Sequence, residues 1–95
     1  MKVFYSKRAE QDLVEIGVYT RMEWGDEQWA RYERLITTGC EDVLPRMHRL
    51  TLSVPKRPAL RRWRCERHVI YFRHVDDALE IVRILHERRL AELHL

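Results

Sequence analysis

Glycine and proline are scarce, three of each among 95 residues, which excludes a collagenous or low-complexity chain. No apolar run approaches the roughly 20 residues that a membrane-spanning helix needs. The opening Met1-Lys2-Val3-Phe4-Tyr5-Ser6 has no apolar h-region, so no export signal is expected and the chain reads as cytosolic. Cysteine is limited to Cys40 and Cys65, too few for a disulfide framework and without metal-ligand spacing. Both lie among apolar neighbours and are expected to be buried, reduced thiols. HExxH, the GxSxG elbow and a Gly-rich phosphate loop are also missing, so neither a metal, a cofactor nor a hydrolase triad is expected.

What is present is enough for one modest core. Hydrophobic residues make up 45% of the chain and include three Trp, four Tyr and two Phe. They fall in periodic runs, so the 35% of charged residues does not imply disorder, and residues 1–95 are expected to form one domain. The charge is unevenly spread. Residues 1–44 carry six basic and nine acidic groups, and residues 75–95 carry three and five. Between them, residues 45–74 hold nine basic groups against Glu66 alone, a local balance of +8. So lopsided a block points to a polyanionic partner, either nucleic acid or an acidic protein segment.

Periodicity supplies the elements. Lys2 to Ser6 alternates as a short strand, and Ser6 is a suitable N-cap for a helix starting at Lys7. In that helix Ala9, Leu13, Ile16 and Thr20 form one stripe, which Val14 and Val18 widen, while Glu10, Asp12 and Glu15 are expected to face water. Gly17 costs helix stability and is expected to admit a close neighbour. Gly25 should close the helix, with Asp26 as the next N-cap. A second helix is expected from Glu27 to Val43, with Trp29, Tyr32, Ile36 and Cys40 as its buried stripe and Leu35 and Val43 flanking it. Pro45 should end it near Leu44, because the residue before a proline avoids helical geometry. Residues 46–59 read as a loop with one short helical turn.

The remainder is strand-like: Leu60–Cys65, His68–Val75 and Leu79–Leu85, the last two joined at Asp76-Asp77. His68, Ile70, Phe72 and His74 should share one face, opposite Val69, Tyr71 and Arg73. In the last strand Leu79, Ile81, Arg83 and Leu85 should alternate with Glu80, Val82, Ile84 and His86. The tail from Glu87 to Leu95 is expected to be a short helix packing Leu90 and Leu93. The order β-α-α-β-β-β with a short terminal helix is an α+β class, a helical hairpin on an antiparallel sheet.

Chemistry-bearing residues cluster late in the chain. His68, His74 and His86 lie on strands without a carboxylate spaced to orient them. Arg61-Arg62-Trp63-Arg64 admits two readings: guanidiniums and an aromatic that grip phosphate and base, or Trp63 turned inward with arginines outward.

Three runs, Pro58-Ala59-Leu60-Arg61-Arg62-Trp63, Arg67-His68-Val69-Ile70-Tyr71-Phe72-Arg73 and Ile81-Val82-Arg83-Ile84-Leu85-His86-Glu87-Arg88, resemble the ParE toxins of the RelE/ParE superfamily. Ser6 to Leu13, Tyr19 and Trp24-Gly25 are similar to that family's first helix, and His94-Leu95 to its ending. The resemblance is loosest around Pro45 and over 46–57. It departs from the pattern at Ala59 and Glu66, where Gly is common, and at Arg89-Leu90, where Met-Asp is common.

The resemblance implies a type II toxin that inhibits DNA gyrase by binding and is neutralised by a ParD-like antitoxin with an acidic arm. The residues it assigns to the antitoxin are Arg61, Arg62, Trp63, Arg64, Arg73, Trp29 and Tyr32. Those it assigns to the target are His86, Arg88 and Arg89. The rival expectation is the RelE branch, ribosome-dependent mRNA endonucleases. There His86 would be the acid or base, with Arg62, Arg64 and Arg88 as phosphate clamps. The absence of Tyr from 87–95 weighs against it.

Overall fold

The computed structural model describes residues 1–89 and 91–95. Strand β1 (Lys2–Tyr5) leads into helix α1 (Lys7–Trp24) and helix α2 (Asp26–Thr38). A π-wound turn (Gly39–Val43), a one-turn helix α3 (Leu44–Met47) and a 3-10 turn (His48–Leu50) follow. Strands β2 (Leu52–Val54), β3 (Arg57–Cys65), β4 (His68–Val75) and β5 (Ala78–His86) and a terminal 3-10 turn (Ala91–Leu93) complete the chain. The five strands lie in the order β1-β5-β4-β3-β2. The β2–β5 neighbours are antiparallel, whereas β1 joins β5 in parallel, so the sheet is mixed where an antiparallel one was expected. Among the described residues, no helix is long and apolar enough to cross a membrane.

Ser6 joins the sheet to α1. Its hydroxyl accepts the Ala9 N–H at 2.9 Å, capping the helix, and donates to the Val82 carbonyl at 2.8 Å. The helices then cross where Gly17 meets the Trp29 ring: a Cβ at Gly17 would lie 2.9 Å from it. Gly25, at φ 93°, separates the two helices and is itself the N-cap of α2, so Asp26 begins the helix instead of capping it.

Pro45 does not end the helical path. The chain winds on through the π turn, in which the Leu44 N–H bonds to the Gly39 carbonyl five residues back, and Leu44 keeps helical geometry (φ −56°, ψ −43°). The wider turn makes room for the proline ring against the preceding turn. Burial of Cys40 and Leu44 outweighs the local preference against helix before proline. Gly39 permits this approach, because a Cβ there would lie 2.8 Å from Cys65 Sγ.

The main core lies between the helices and one sheet face: Ala9, Ile36, Cys40, Leu44, Ile70, Phe72, Leu79, Ile81 and Ile84. Burial of an aliphatic side chain is worth about 1.5–3 kcal/mol each, so this layer supplies most of the stability. A smaller cluster of Val54, Tyr71 and Leu85 occupies the outer face, under Leu60, Val69, Ala91 and Leu95. Leu93 is exposed, so it does not pack as expected of it, and Leu90 lies outside the described residues. Cys40 is buried, but Cys65 is only half-buried.

Two expected alternations are overturned by a bulge. Tyr71 pairs with Arg83 but Phe72 pairs with Ile81, so Val82 is an extra residue in β5. Beyond it the faces exchange, which puts Ile84 with Leu79 and Ile81 in the main core and Leu85 on the outer face. On α1, Val14 and Val18 are exposed and Asp12 is buried, the reverse of the amphipathic reading.

Candidate functional site

The basic block is divided by the pleat of β3. Trp63 and Cys65 pack towards the helices and Leu60 packs into the outer cluster, which sets Arg62 and Arg64 on the outer face. Both arginines are exposed. Arg62 Nε donates to the Ser53 carbonyl at 3.1 Å, and Arg64 pairs with Glu87 at 2.6 Å. Arg61 is half-buried and held inward: its Nε donates to Thr51 Oγ1 at 2.8 Å and its Nη2 to the Thr51 carbonyl. Arg73 pairs with Glu80 at 2.6 Å across the β4–β5 ladder.

Of the aromatics assigned to the antitoxin, Trp29 is buried in the seam between the helices. Trp63 is half-buried under Gly39. Tyr32 is half-buried at the far end of the sheet, where its hydroxyl accepts the Arg67 N–H at 3.1 Å and lies 2.7 Å from His68 Nδ1.

His68 is cross-strand partner to His86, and the two rings meet edge to face with centroids 5.4 Å apart. Burial, reinforced by His86, pushes the His68 imidazole down to about 4, so it is neutral at physiological pH. Burial likewise pushes the Tyr32 hydroxyl up. Tyr32, His68 and His86 thus tie α2 to the ends of β4 and β5 on the helix side of the sheet.

Arg62 and Arg64 are on the other side. The row Cys65–His68–His86 faces the helices, and the adjacent row Arg64–Val69–Leu85 faces outward. Of the four residues of the nuclease expectation, Arg62 stays with Ser53 on the outer face, whereas Arg64 reaches the end of the sheet, 2.6 Å from Glu87, the residue between His86 and Arg88. His86 Nδ1 accepts the Arg88 N–H at 3.2 Å, and Arg89 Nη2 lies 3.2 Å from His94 Nδ1. His86, Arg88 and Arg89 form one corner at the end of the sheet, with both arginines exposed.

Sequence reasoning missed two features. Val14, Val18 and Met22, four residues apart on α1, are 56%, 46% and 80% exposed and form an apolar stripe open to solvent. Exposed Met22 at that spacing was the available signal. The second is a pair of histidines, His48 and His74, whose Nδ1 and Nε2 lie 2.7 Å apart. Among the described residues, no group of three or more His, Cys, Asp or Glu gathers as metal ligands.

A family model described as the ParE toxin of the type II toxin–antitoxin system parDE matches residues 3–91, from β1 to the terminal turn. The chain belongs to the ParE toxin family. It is 33% identical over 90 residues to Toxin ParE1 of Caulobacter vibrioides, covering 95% of this chain and 93% of that protein. It is 39% identical over 82 residues to Toxin ParE of Escherichia coli, covering 84% and 79%. A chain from the chromosomal ParDE TA system of P. aeruginosa superposes with a TM-score of 0.77 over 90% of this chain and 95% of that one, at 20% identity, which shows a common fold. The ParE fold is retained although Glu66 stands in the turn before His68, because Glu66 takes φ 57°, the left-handed conformation that Gly adopts freely.

Proposed function

We propose that this ParE-family toxin acts in the cytoplasm, inhibits DNA gyrase by binding and not by turnover, and is neutralised by a ParD-like antitoxin. The observation that favours binder over nuclease is that His86 is turned against His68 on the helix side while Arg62 is held to the Ser53 carbonyl on the outer face. The family membership over residues 3–91 supports the gyrase reading.

In this reading the outer face, with Arg62, Arg64 and Arg73, meets the antitoxin by charge. Arg61, Trp63, Trp29 and Tyr32 act beneath the surface by shaping it. The corner of His86, Arg88 and Arg89 meets the target. The test is a supercoiling reaction on relaxed plasmid, titrated with toxin and scored for trapped linear DNA. Linear product that disappears on adding the cognate antitoxin is expected. Normal supercoiling at saturating folded toxin would overturn the gyrase reading.

A further inference from the structure

At the end of β4 opposite His68, two further histidines meet. His74 follows Ile70 and Phe72 on the helix side of β4, its ring centroid 6.2 Å from that of Phe72. His48 opens the 3-10 turn that precedes β2. The two imidazole centroids are 4.7 Å apart, and His74 Nε2 lies 2.7 Å from His48 Nδ1. This hydrogen bond joins two groups that each titrate.

It is also the first link of a polar chain. The Thr51 hydroxyl donates to the His48 carbonyl at 2.6 Å, and Thr51 Oγ1 accepts Arg61 Nε at 2.8 Å. Strand β4, the turn and β3 are so tied together beside β2, the edge strand, whose ladder runs to β3 alone.

The charged groups that face His48 are both cations, Arg49 from the turn and Arg61 from β3. The cross-strand partner of His74 on β5 is the apolar Leu79. Neither histidine pairs with a carboxylate among the described residues.

The number of protons on the pair decides whether the contact can exist. A hydrogen bond between two imidazoles needs one N–H and one bare nitrogen. With both rings neutral, one donates and the other accepts. A first added proton goes to the far nitrogen of the donor ring, which keeps the bond and adds charge assistance. A second must occupy the accepting nitrogen. Two N–H groups then point at each other, each on a cation, in a corner that already holds two guanidiniums. Burial, reinforced by His74, Arg49 and Arg61, accordingly pushes the His48 imidazole down.

We propose that the His48–His74 contact is a two-proton latch at the β2 edge, which holds while the pair carries at most one added proton and opens when both rings are charged. Opening frees the turn from β4 and withdraws support from β2, whose Ser53 carbonyl holds Arg62. The rest of the fold stays, because neither histidine belongs to the main core. Protons are taken up on opening, so the latch is closed at neutral pH and released as pH falls below the ordinary histidine value of about 6.5.

The test follows amide hydrogen exchange of residues 48–54 in the full chain between about pH 7.5 and 5, corrected for the intrinsic pH dependence of exchange. The core amides of Ile70 and Ile84 serve as the reference for global unfolding driven by His68. His74→Gln keeps a side-chain carbonyl that accepts from a charged His48 but takes no charge itself. In the wild type, the opening of 48–54 relative to the core amides is expected to rise at least tenfold on acidification, and in His74→Gln less than threefold. The midpoint of His48, read from its imidazole NMR signals, is expected to be higher in the variant than in the wild type. Should His74→Gln fail to fold, His48→Gln makes the same change on the other ring and is expected to lose the same pH dependence. No rise in the wild type would show that the contact tolerates both protons, and equal rises in wild type and variant would place the titrating group elsewhere. Either result, or a His48 midpoint unmoved by His74→Gln, would overturn the latch.

Discussion

Asp12 and Arg83, 71 residues apart, form a two-pronged ion pair inside the protein, Nε to Oδ2 at 2.9 Å and Nη2 to Oδ1 at 3.0 Å. Both residues are at most 6% exposed. Asp12 Oδ2 also accepts the Ile84 N–H at 2.9 Å, and Arg83 Nη1 donates to the His94 carbonyl. Strand β1 reaches only Ile81 of β5, so beyond that point the edge of β5 lacks a strand neighbour. Asp12 of α1 occupies that place, and Arg83 reaches the chain's last residues. One carboxylate thus joins the first helix, the sheet edge and the tail.

Asp12→Asn should therefore cost about 3–5 kcal/mol, because it leaves the buried Arg83 charge unpaired while keeping an acceptor for Ile84. Asp12→Asn with Arg83→Met should recover much of the loss. Urea midpoints of the two variants check this. A wild-type midpoint for Asp12→Asn alone would mean that water reaches the pair.

His68 makes stability depend on pH. Its pKa is about 4 in the fold and 6.5 ordinarily, so between those values the unfolded chain binds the extra proton. Its contribution is complete above pH 6.5, falls as pH drops through the window and is gone below about 4. The span is on the order of 3 kcal/mol. Urea titrations from neutral to acid pH should show a steeper decline for the wild type than for His68→Phe. Parallel declines would assign the acid sensitivity to other groups.

Gly17→Ala should destabilise, although alanine is the better helix former by about 1 kcal/mol. The added Cβ would lie 2.9 Å from the Trp29 ring, which is buried and cannot swing away. Overpacking of this kind costs about 1–3 kcal/mol and should lower the thermal midpoint. A raised midpoint would show that the helices can part at this crossing.

The arginines of β3 should separate by role. Arg62→Glu with Arg64→Glu is expected to weaken antitoxin binding at low salt and less at high salt, since exposed charges are screened. Arg61→Ala should act on stability, by about 1–3 kcal/mol, because its guanidinium is bound to Thr51. Unchanged affinity of the double variant at low salt would remove the outer arginines from the interface.

Much of the architecture was legible in the sequence because it rests on local physics. Ser6 reads as a cap from its neighbours alone and Gly17 as a point of close approach, and alternation sets Ile70 with Phe72 and Leu79 with Ile81, while both faces are apolar enough that only the fold shows theirs to be the main core. The family was legible for the same reason, in ordered runs along β3, β4 and β5. What could not be read depends on partners distant in the chain. Asp12 looks like a surface carboxylate until Arg83 and the edge of β5 are beside it. Val14 and Val18 look buried until the fold leaves that side of α1 open to solvent. Pro45 looks like a terminator until Cys40 and Leu44 are held in the core by Ile36, Phe72 and their neighbours. The bulge at Val82 shifts the facing of every later residue in β5, and a one-residue slip leaves almost no mark on composition. Amphipathic pattern thus determined which elements form, while the tertiary contacts decided which polar group was worth burying, which apolar face stayed open, and on which side of the sheet the arginines and His86 came to lie.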